Sequence, residues 1–285
     1  MSFMPAALRG LARASHPGPA LVVTVVAAVL AASVSYPPGR LVMLTAAILA
    51  GQLSVGWSND WIDAARDRAV ARADKPVALG LVSRRTVGVA AWIALASALL
   101  LTAALGPLAL AAHALALLSA WSYNAWLKRS VLSVLPYVVS FGLLPAIVTL
   151  GALEPRIPAW WVVTAGCLLG AAAHITNVLP DLEQDRATGV RGFGHLLGAT
   201  AGGLVAFGLL ALVGIVIAVG ALASGLRGWP AAPVVAGAVL TVLIAAAGVG
   251  LTLRGSRTRW LMRLIMGSAV VDVIALVAAG SVLAA

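Results

Sequence analysis

Two short polar segments of this chain carry side chains whose types and spacing could do chemistry. Each contains the pattern Asn-x-x-x-Asp-x-x-x-Asp, formed by Asn59, Asp63 and Asp67 in the first segment and by Asn177, Asp181 and Asp185 in the second. Residues four apart share one face of an α-helix, so each segment would point three oxygen-bearing side chains in one direction. Carboxylates at this spacing repel each other, and bound cations would relieve that repulsion.

The chemistry that fits these oxygen atoms is the binding of Mg²⁺ and a diphosphate. Mg²⁺ usually takes one or two carboxylates together with phosphate oxygens of a substrate. Basic side chains that could hold the phosphates directly lie beside both segments. They are Arg66, Arg68, Arg72 and Lys75 near the first segment, and Arg186 and Arg191 near the second. A simpler alternative is that both segments are solvated loops with balanced ion pairs. The occurrence of the same pattern in both segments disfavours this alternative.

The elements that must position these segments are membrane helices. Of the 285 residues, 62% are hydrophobic and 10% are charged, whereas soluble domains have about 45–50% and about 25%. Continuous apolar runs exclude the alternating strands of an outer-membrane barrel. We therefore expect one all-α, polytopic membrane domain over residues 1–285. The single cysteine, Cys167, excludes an intrachain disulfide and a zinc cluster.

Proline, glycine and charged residues divide the apolar runs into nine predicted transmembrane helices. Their approximate bounds are Ala20 to Tyr36, Leu41 to Trp57, Thr86 to Leu105, Leu108 to Ala125, Val131 to Leu153, Ala159 to Leu179, Gly203 to Ser224, Val234 to Leu253 and Met262 to Val282. Each polar segment follows an even-numbered span. The two segments are therefore expected on the same membrane face, as two half-sites around a central cavity.

The basic residues predict the orientation of these helices. Only Arg40, Arg156 and Arg227 of the 19 lysines and arginines lie on the side opposite the N-terminus. Because cytoplasmic loops carry the excess of positive charge, we expect an inner-membrane protein with its N-terminus in the cytoplasm and its C-terminus outside. Both polar segments would then face the cytoplasm. This asymmetry accounts for the net charge of +10, and no nucleic-acid partner is expected.

At the polar segments the chain resembles the UbiA superfamily of intramembrane prenyltransferases. The run Asn59-Asp60-x-x-Asp63-x-x-x-Asp67 is similar to the family's first aspartate-rich motif, and Asp181-x-x-x-Asp185 is similar to its second. The resemblance covers nearly the whole chain, because the family fold also has nine transmembrane helices. Its two motifs likewise lie on cytoplasmic loops after the second and sixth helices.

A third and less specific element of the resemblance is Tyr123 followed by Lys128 and Arg129. Many family members have a tyrosine and a Lys-Arg pair after the fourth helix. The chain departs from the family at Lys75-Pro76, where many members have Arg-Pro. Lysine keeps the positive charge there but loses the two-pronged geometry with which arginine binds phosphate.

The resemblance implies transfer of an isoprenoid from its diphosphate to an acceptor. Two Mg²⁺ ions would draw charge from the diphosphate and promote its departure. The implied metal ligands are Asn59, Asp63, Asp67, Asn177, Asp181 and Asp185. The implied diphosphate-binding residues are Arg72, Lys75, Lys128, Arg186 and Arg191. The donor's apolar tail would lie between the helices or project into the lipid bilayer.

Besides Asn177, which is also an implied metal ligand, five residues are candidates for the cavity wall. Trp57, Trp61 and Tyr123 could offer aromatic faces to a carbocation, although interfacial anchoring is the simpler function for the two tryptophans. His174 could bind or deprotonate an acceptor, or be a satisfied histidine near a helix end. Asp272 lies about halfway along the ninth span, where a carboxyl group is usually either functional or paired.

Three functions are compatible with these residues. Transfer of a prenyl group to an aromatic or other lipophilic acceptor is the preferred one. Cyclisation of the donor is the alternative, because it uses the same ionisation and captures the carbocation within the molecule. A non-catalytic binder or transporter of lipid diphosphates is disfavoured, because transport does not require two metal clusters on the same membrane face.

Overall fold

The computed structural model is all-helical. It describes residues 6–70, 72, 75–187, 189, 191–255 and 260–283, without the side chains of residues 6, 184, 186, 187 and 281. The α-helices in this part of the chain are α1 (Ala6–Ala14), α2 (Pro17–Ser33), α3 (Pro38–Ala69), α4 (Arg84–Ala103), α5 (Pro107–Ala125), α6 (Leu135–Leu150), α7 (Trp160–Val178), α8 (Leu182–Ala187), α9 (Phe193–Ala223), α10 (Ala231–Leu253) and α11 (Trp260–Ala279). Short 3₁₀ turns lie at Leu127–Arg129, Leu179–Asp181 and Gly280–Val282.

Proline and glycine set several helix boundaries. Pro17, Pro38 and Pro107 lie in the first turns of α2, α3 and α5, where their fixed φ suits a helix and their missing N–H is not needed. Gly106 joins α4 to α5 at a φ of 137°, a conformation that side chains disfavour. A second glycine with positive φ, Gly198, kinks α9 near its start.

A helix lies at each of the nine predicted spans. Among the described residues, six helices are long and apolar enough to cross a membrane, and α1 with α2, bent by 61°, would make a seventh. The shorter apolar helix α6 lies at one of the predicted spans that this count leaves out. The protein is therefore a polytopic, all-helical membrane protein, and nine stays a prediction for the number of crossings.

The loops gather at two opposite ends of the helix bundle. At one end, Arg40 donates hydrogen bonds to the carbonyl oxygens of Leu105 and Gly151, at 2.6 and 2.7 Å. Near it, the backbone N–H of Ala159 donates to the carbonyl oxygen of Leu283 at 2.9 Å. The loops that follow α2, α4, α6 and α11 therefore lie together, as expected of helices that run between the same two faces. The polar segments lie at the other end.

Close helix packing around large side chains forms the core between these ends. Trp161 and Phe207 are completely buried. A Cβ atom added to Gly220 would lie 2.2 Å from the Trp161 ring, and one added to Gly248 would lie 2.2 Å from the Phe207 ring. Glycine at these positions lets α9 approach α7 and lets α10 approach α9 closely enough to fill the interior.

Candidate active site

The first aspartate segment is part of a continuous helix. As expected from the sequence, α3 continues past Trp57 and ends at Ala69, since this stretch contains no proline and no glycine after Gly56. Asn59, Asp63 and Asp67 therefore lie on one face of the helix. The side chains of Asp63 and Asp67 are only 3% and 2% exposed, so these carboxylates lie inside the bundle.

The second segment is built differently. Helix α7 ends at Val178, and a 3₁₀ turn over Leu179–Asp181 leads into the short helix α8. Pro180 interrupts the α-helical hydrogen bonding there, because its nitrogen has no hydrogen to donate. The side chains of Asp181 and Asp185 are 34% and 17% exposed. The two half-sites thus repeat one sequence pattern but differ in backbone and in burial.

Lys128 links the third sequence element to the first segment. Its Nζ donates a hydrogen bond of 2.6 Å to Oδ2 of Asp63, and Nη2 of Arg66 lies 3.3 Å from the same oxygen. Burial lowers the pKa of Lys128, and the neighbouring Asp63 carboxylate partly opposes this shift. The other carboxylate oxygen of Asp63, Oδ1, is buried and has no hydrogen-bond partner among the described residues.

Arg72 brings the two segments together. Its Nη2 lies 3.8 Å from Oδ2 of Asp181, so the loop after α3 contacts the turn after α7. On the first segment, Nε of Arg66 lies 3.8 Å from Oδ1 of Asp67. A basic side chain therefore lies beside carboxylates of each half-site and balances part of their negative charge.

Lys75 belongs to a partly buried polar cluster beside the first segment. Its Nζ donates to Oδ1 of Asp60 at 2.7 Å and to Oδ1 of Asn59 at 3.2 Å, and it lies 3.3 Å from Nε2 of His16. The same nitrogen of His16 is 3.2 Å from the Asp60 carboxylate. Asp60 is only 1% exposed. Lys75 thus neutralises a buried carboxylate that lies one residue from the motif asparagine.

Asn124 orients Asn59, and sequence reasoning did not single it out. Nδ2 of Asn59 donates to Oδ1 of Asn124 at 3.2 Å. Asn124 in turn donates to the carbonyl oxygen of Val55 at 2.9 Å and to Oγ of Ser58 at 2.8 Å. The only signal in the sequence is its position directly after Tyr123. This network fixes the amide of Asn59 with its oxygen toward Lys75.

An aromatic cluster lies where α5, α6 and α7 meet near the second segment. The ring centroids of Tyr123 and Tyr137 are 5.2 Å apart. The His174 ring centroid lies 5.7 Å from that of Tyr123 and 5.0 Å from that of Tyr137. Nε2 of His174 is 3.1 Å from Oγ of Ser133, whereas its Nδ1 is buried without a hydrogen-bond partner in the described chain. Asn177 donates a long hydrogen bond of 3.4 Å to the Tyr137 hydroxyl. Sequence analysis missed Tyr137 and Ser133.

The two candidate tryptophans pack on neighbouring helices. Nε1 of Trp57 donates to the carbonyl oxygen of Leu11 in α1 at 2.9 Å. The Trp61 ring lies against Gly88 of α4, where an added Cβ would be 2.7 Å from the indole nitrogen. Both rings join a small apolar cluster with Val77 and its neighbours. Their predicted place in the cavity wall stays a prediction.

The remaining candidates lie at the edge of the site or away from it. Arg191 is exposed, and the side chain of Arg186 lies outside the described residues. Asp185 is 3.4 Å from Nε2 of His195, which follows on α9. Asp272 is buried in α11 and accepts a hydrogen bond of 2.6 Å from Thr241.

The oxygen-rich donor set fits Mg²⁺ without forming a closed metal cage. In the part of the chain that the structure describes, no three histidine, cysteine, aspartate or glutamate side chains surround one metal position. Lys128 and Arg72 contact the carboxylates instead. The buried and unpartnered Oδ1 of Asp63 is a hard donor of the kind Mg²⁺ prefers. Incomplete protein ligation is usual for Mg²⁺, which shares its coordination with substrate phosphates.

Several solved membrane proteins share this fold. A UbiA homolog from Archaeoglobus fulgidus bound to GPP and Mg²⁺ is 14% identical, with a TM-score of 0.74 over 96% of this chain and 100% of that one. The apo UbiA homolog from Aeropyrum pernix K1 is 20% identical, with a TM-score of 0.72 over 90% and 96%. A digeranylgeranylglyceryl phosphate synthase is 14% identical, with a TM-score of 0.69 over 96% and 98%.

The sequence itself identifies the family. No curated protein matches the chain significantly. The model of the UbiA prenyltransferase family, however, matches residues 20–268, which include both aspartate segments and all but the ends of the described chain. This protein therefore belongs to the UbiA prenyltransferase family.

Proposed function

We propose that this protein is a Mg²⁺-dependent prenyltransferase of the inner membrane, which ionises an isoprenyl diphosphate and transfers the prenyl group to an aromatic or other lipophilic acceptor. The observation that carries the proposal is the contact of the two aspartate segments through Arg72 and Asp181. Family membership supports it. A UbiA homolog of the same fold from Archaeoglobus fulgidus has been solved with Mg²⁺ and either GPP or DMAPP.

The metal-binding part of the proposal assigns two Mg²⁺ ions to the oxygens of the two segments. The residues that would hold them are Asn59, Asp63, Asp67, Asn177, Asp181 and Asp185. Bound Mg²⁺ would neutralise charge on the diphosphate and so favour its departure from the prenyl carbon. The exposure of Asp181 and Asp185, compared with Asp63 and Asp67, leaves the second half-site open to an incoming diphosphate.

Basic side chains of the chain would bind the diphosphate oxygens directly. Lys128 and Arg72 already lie beside the carboxylates of the site, so a short side-chain movement would move them onto phosphate. Arg186 and Arg191 are proposed to extend this set at the second half-site. Lys75, which contacts Asp60, would add positive charge from the other flank.

The aromatic cluster would act on the prenyl carbon and the acceptor. The rings of Tyr123 and Tyr137 can stabilise positive charge that develops on the prenyl group. The free Nδ1 of His174 can accept a proton from an acceptor hydroxyl or carbon. The burial of His174 and the partial burial of the two tyrosines would keep water, a competing nucleophile, away from the carbocation.

The experiment that tests this function uses purified protein with Mg²⁺ and geranyl, farnesyl or geranylgeranyl diphosphate. Each donor is incubated with and without a panel of phenolic acceptors, while diphosphate release and organic products are measured. We expect release that depends on both Mg²⁺ and acceptor, together with a prenylated adduct. Diphosphate release without an acceptor, together with a cyclic product, would show that the reaction is cyclisation and not transfer. If no combination of donor and acceptor gives diphosphate release, both transfer and cyclisation are contradicted.

A further inference from the structure

A carboxyl group lies deep in the bundle, away from the aspartate segments. Asp272 is 3% exposed and lies about 18 Å along α11 from Trp260, at ~1.5 Å per residue. Its Oδ1 accepts a hydrogen bond of 2.6 Å from Thr241 of α10. Its Oδ2 has a contact of 3.5 Å with Oγ of Ser268, which is at the limit of a hydrogen bond. Oδ2 is therefore only weakly satisfied within the described chain.

Asp272 forms part of the wall of a cavity between α2, α6, α7, α9 and α11. The cavity volume is about 70 Å³, several times the space that one water molecule needs. The other wall residues are aliphatic, apart from Phe141, three small residues and a proline. An occupant of this cavity would be lipophilic and would meet a single polar group.

The cavity adjoins the proposed active site. Phe141 in its wall stacks on Tyr137, with ring centroids 6.2 Å apart. Tyr137 in turn contacts His174 and accepts the hydrogen bond from Asn177. A molecule that reaches from the aromatic cluster along Phe141 toward α11 would therefore approach Asp272.

Helix packing alone does not explain this carboxyl group. A carboxyl group inside a membrane bundle is unfavourable unless its oxygens are bonded. The hydrogen bond from Thr241 satisfies Oδ1 and would suffice to join α10 to α11. The poorly satisfied Oδ2 lies on a residue that borders an otherwise apolar space. Such an oxygen can accept a hydrogen bond from a ligand.

We propose that Asp272 determines specificity by accepting a hydrogen bond from a hydroxyl group of a lipophilic substrate in this cavity. This inference rests on the proposed function, because the substrate that would carry such a group is the acceptor. A substrate whose hydroxyl is replaced by an ether has the same apolar surface but no hydrogen to donate. Asp272 would then be left without its partner, and binding would weaken.

The test measures binding of 1-naphthol and of its methyl ether, 1-methoxynaphthalene, to the whole protein in detergent by equilibrium dialysis, without Mg²⁺ or diphosphate. We expect the wild type to bind 1-naphthol about tenfold more tightly, the scale of one hydrogen bond to a carboxyl group. Asp272→Leu should abolish the preference. The matched variant Thr241→Val, which keeps the carboxyl group and removes its interhelical hydrogen bond, should retain it.

Equal binding of the two compounds by the wild type would overturn the inference, whether or not any variant folds. Retention of the preference by a folded Asp272→Leu variant would also overturn it. Asp272→Asn, which keeps an accepting oxygen, should preserve part of the preference. Diphosphate release by the same wild-type preparation is measured separately, and its absence would overturn the proposed function instead.

Discussion

The contact between Lys75 and Asp60 changes how the first segment is understood at the residue scale. Sequence analysis assigned Lys75 to the diphosphate, and it placed Asp60 in the first motif but off the helix face that Asn59, Asp63 and Asp67 share. In the folded protein Asp60 is buried, and Lys75 donates to it at 2.7 Å. Losing a cationic partner costs more free energy at a buried carboxylate than at an exposed phosphate site. Lys75 is therefore expected to stabilise the fold in addition to any contact with substrate.

Replacing Lys75 by methionine should destabilise the protein strongly. The variant keeps most of the side-chain volume but leaves the Asp60 carboxylate buried without its ammonium partner, a loss of about 3–5 kcal/mol. Adding Asp60→Asn should restore much of the stability, because the uncompensated charge is then removed. Thermal unfolding in detergent measures both effects. An equal loss in the single and double variants would show that charge compensation is not the role of Lys75.

Residue patterns in the sequence point to the carboxylates of the proposed site but not to their neighbours in the fold. The spacing of Asp63 and Asp67 is local information that a helix converts directly into a shared face. Asn124 and Asp60 acquire their roles only when α5 and the segment around His16 pack against α3. Such contacts depend on tertiary packing, and a single sequence carries no signal for them.

The packing of the N-terminal segment on α3 is the feature to test at the scale of elements. Gly56 lies one turn before the aspartate face, and a Cβ atom there would be 2.5 Å from the carbonyl oxygen of Ser15. Ser15 directly precedes His16, which contacts Asp60. A glycine at this position thus allows the chain between α1 and α2 to reach the partly buried polar cluster.

Gly56→Ala should therefore destabilise the protein by about 1–3 kcal/mol, as overpacking does, and shift the N-terminal segment away from Asp60. The matched control is Gly18→Ala in α2, where no atom lies within 4 Å of the added Cβ and alanine favours the helix. Thermal unfolding of both variants gives the comparison. If Gly56→Ala is as stable as Gly18→Ala, the close contact is not required.

The apolar runs predicted the long helices well and the short ones poorly. Their length and continuity gave α2 to α7 and α9 to α11 directly. Helix α1 lies in a polar stretch and was not predicted, α8 covers only the end of the helical face expected over Asn177 to Asp185, and α9 begins at Phe193, ten residues before the predicted start at Gly203. The break at Pro180 also separates α7 from α8. These short elements are fixed by packing at the end of the bundle rather than by hydropathy.

At the scale of the whole molecule, the distribution of basic residues predicts which end of the bundle faces the cytoplasm. The structure groups the loops into two sets, and the orientation of these sets in the membrane stays a prediction. Two exposed residues, Arg129 and Glu154, lie in loops that belong to opposite sets. The single native cysteine, Cys167, can be replaced by alanine to give a cysteine-free background.

In that background, Glu154→Cys should react with a membrane-impermeant maleimide in intact cells, because its loop is predicted to lie outside. Arg129→Cys should react only after the membrane is permeabilised. Labelling is read by a mass shift of the protein on a gel. The reverse pattern would invert the orientation and place the aspartate segments outside, and labelling of both in intact cells would contradict a membrane-spanning arrangement between them.

The central claim is that both aspartate segments act in one metal-dependent site. The most direct measurement is Mg²⁺-dependent diphosphate release by Asp63→Asn and Asp181→Asn, compared with the wild type and with Glu154→Gln, which removes an exposed carboxylate on the opposite end. We expect the rate of diphosphate release to fall about 100-fold or more in each motif variant, which is the scale of losing one group that stabilises developing charge. The control should keep its activity. Full activity in either motif variant would contradict the claim.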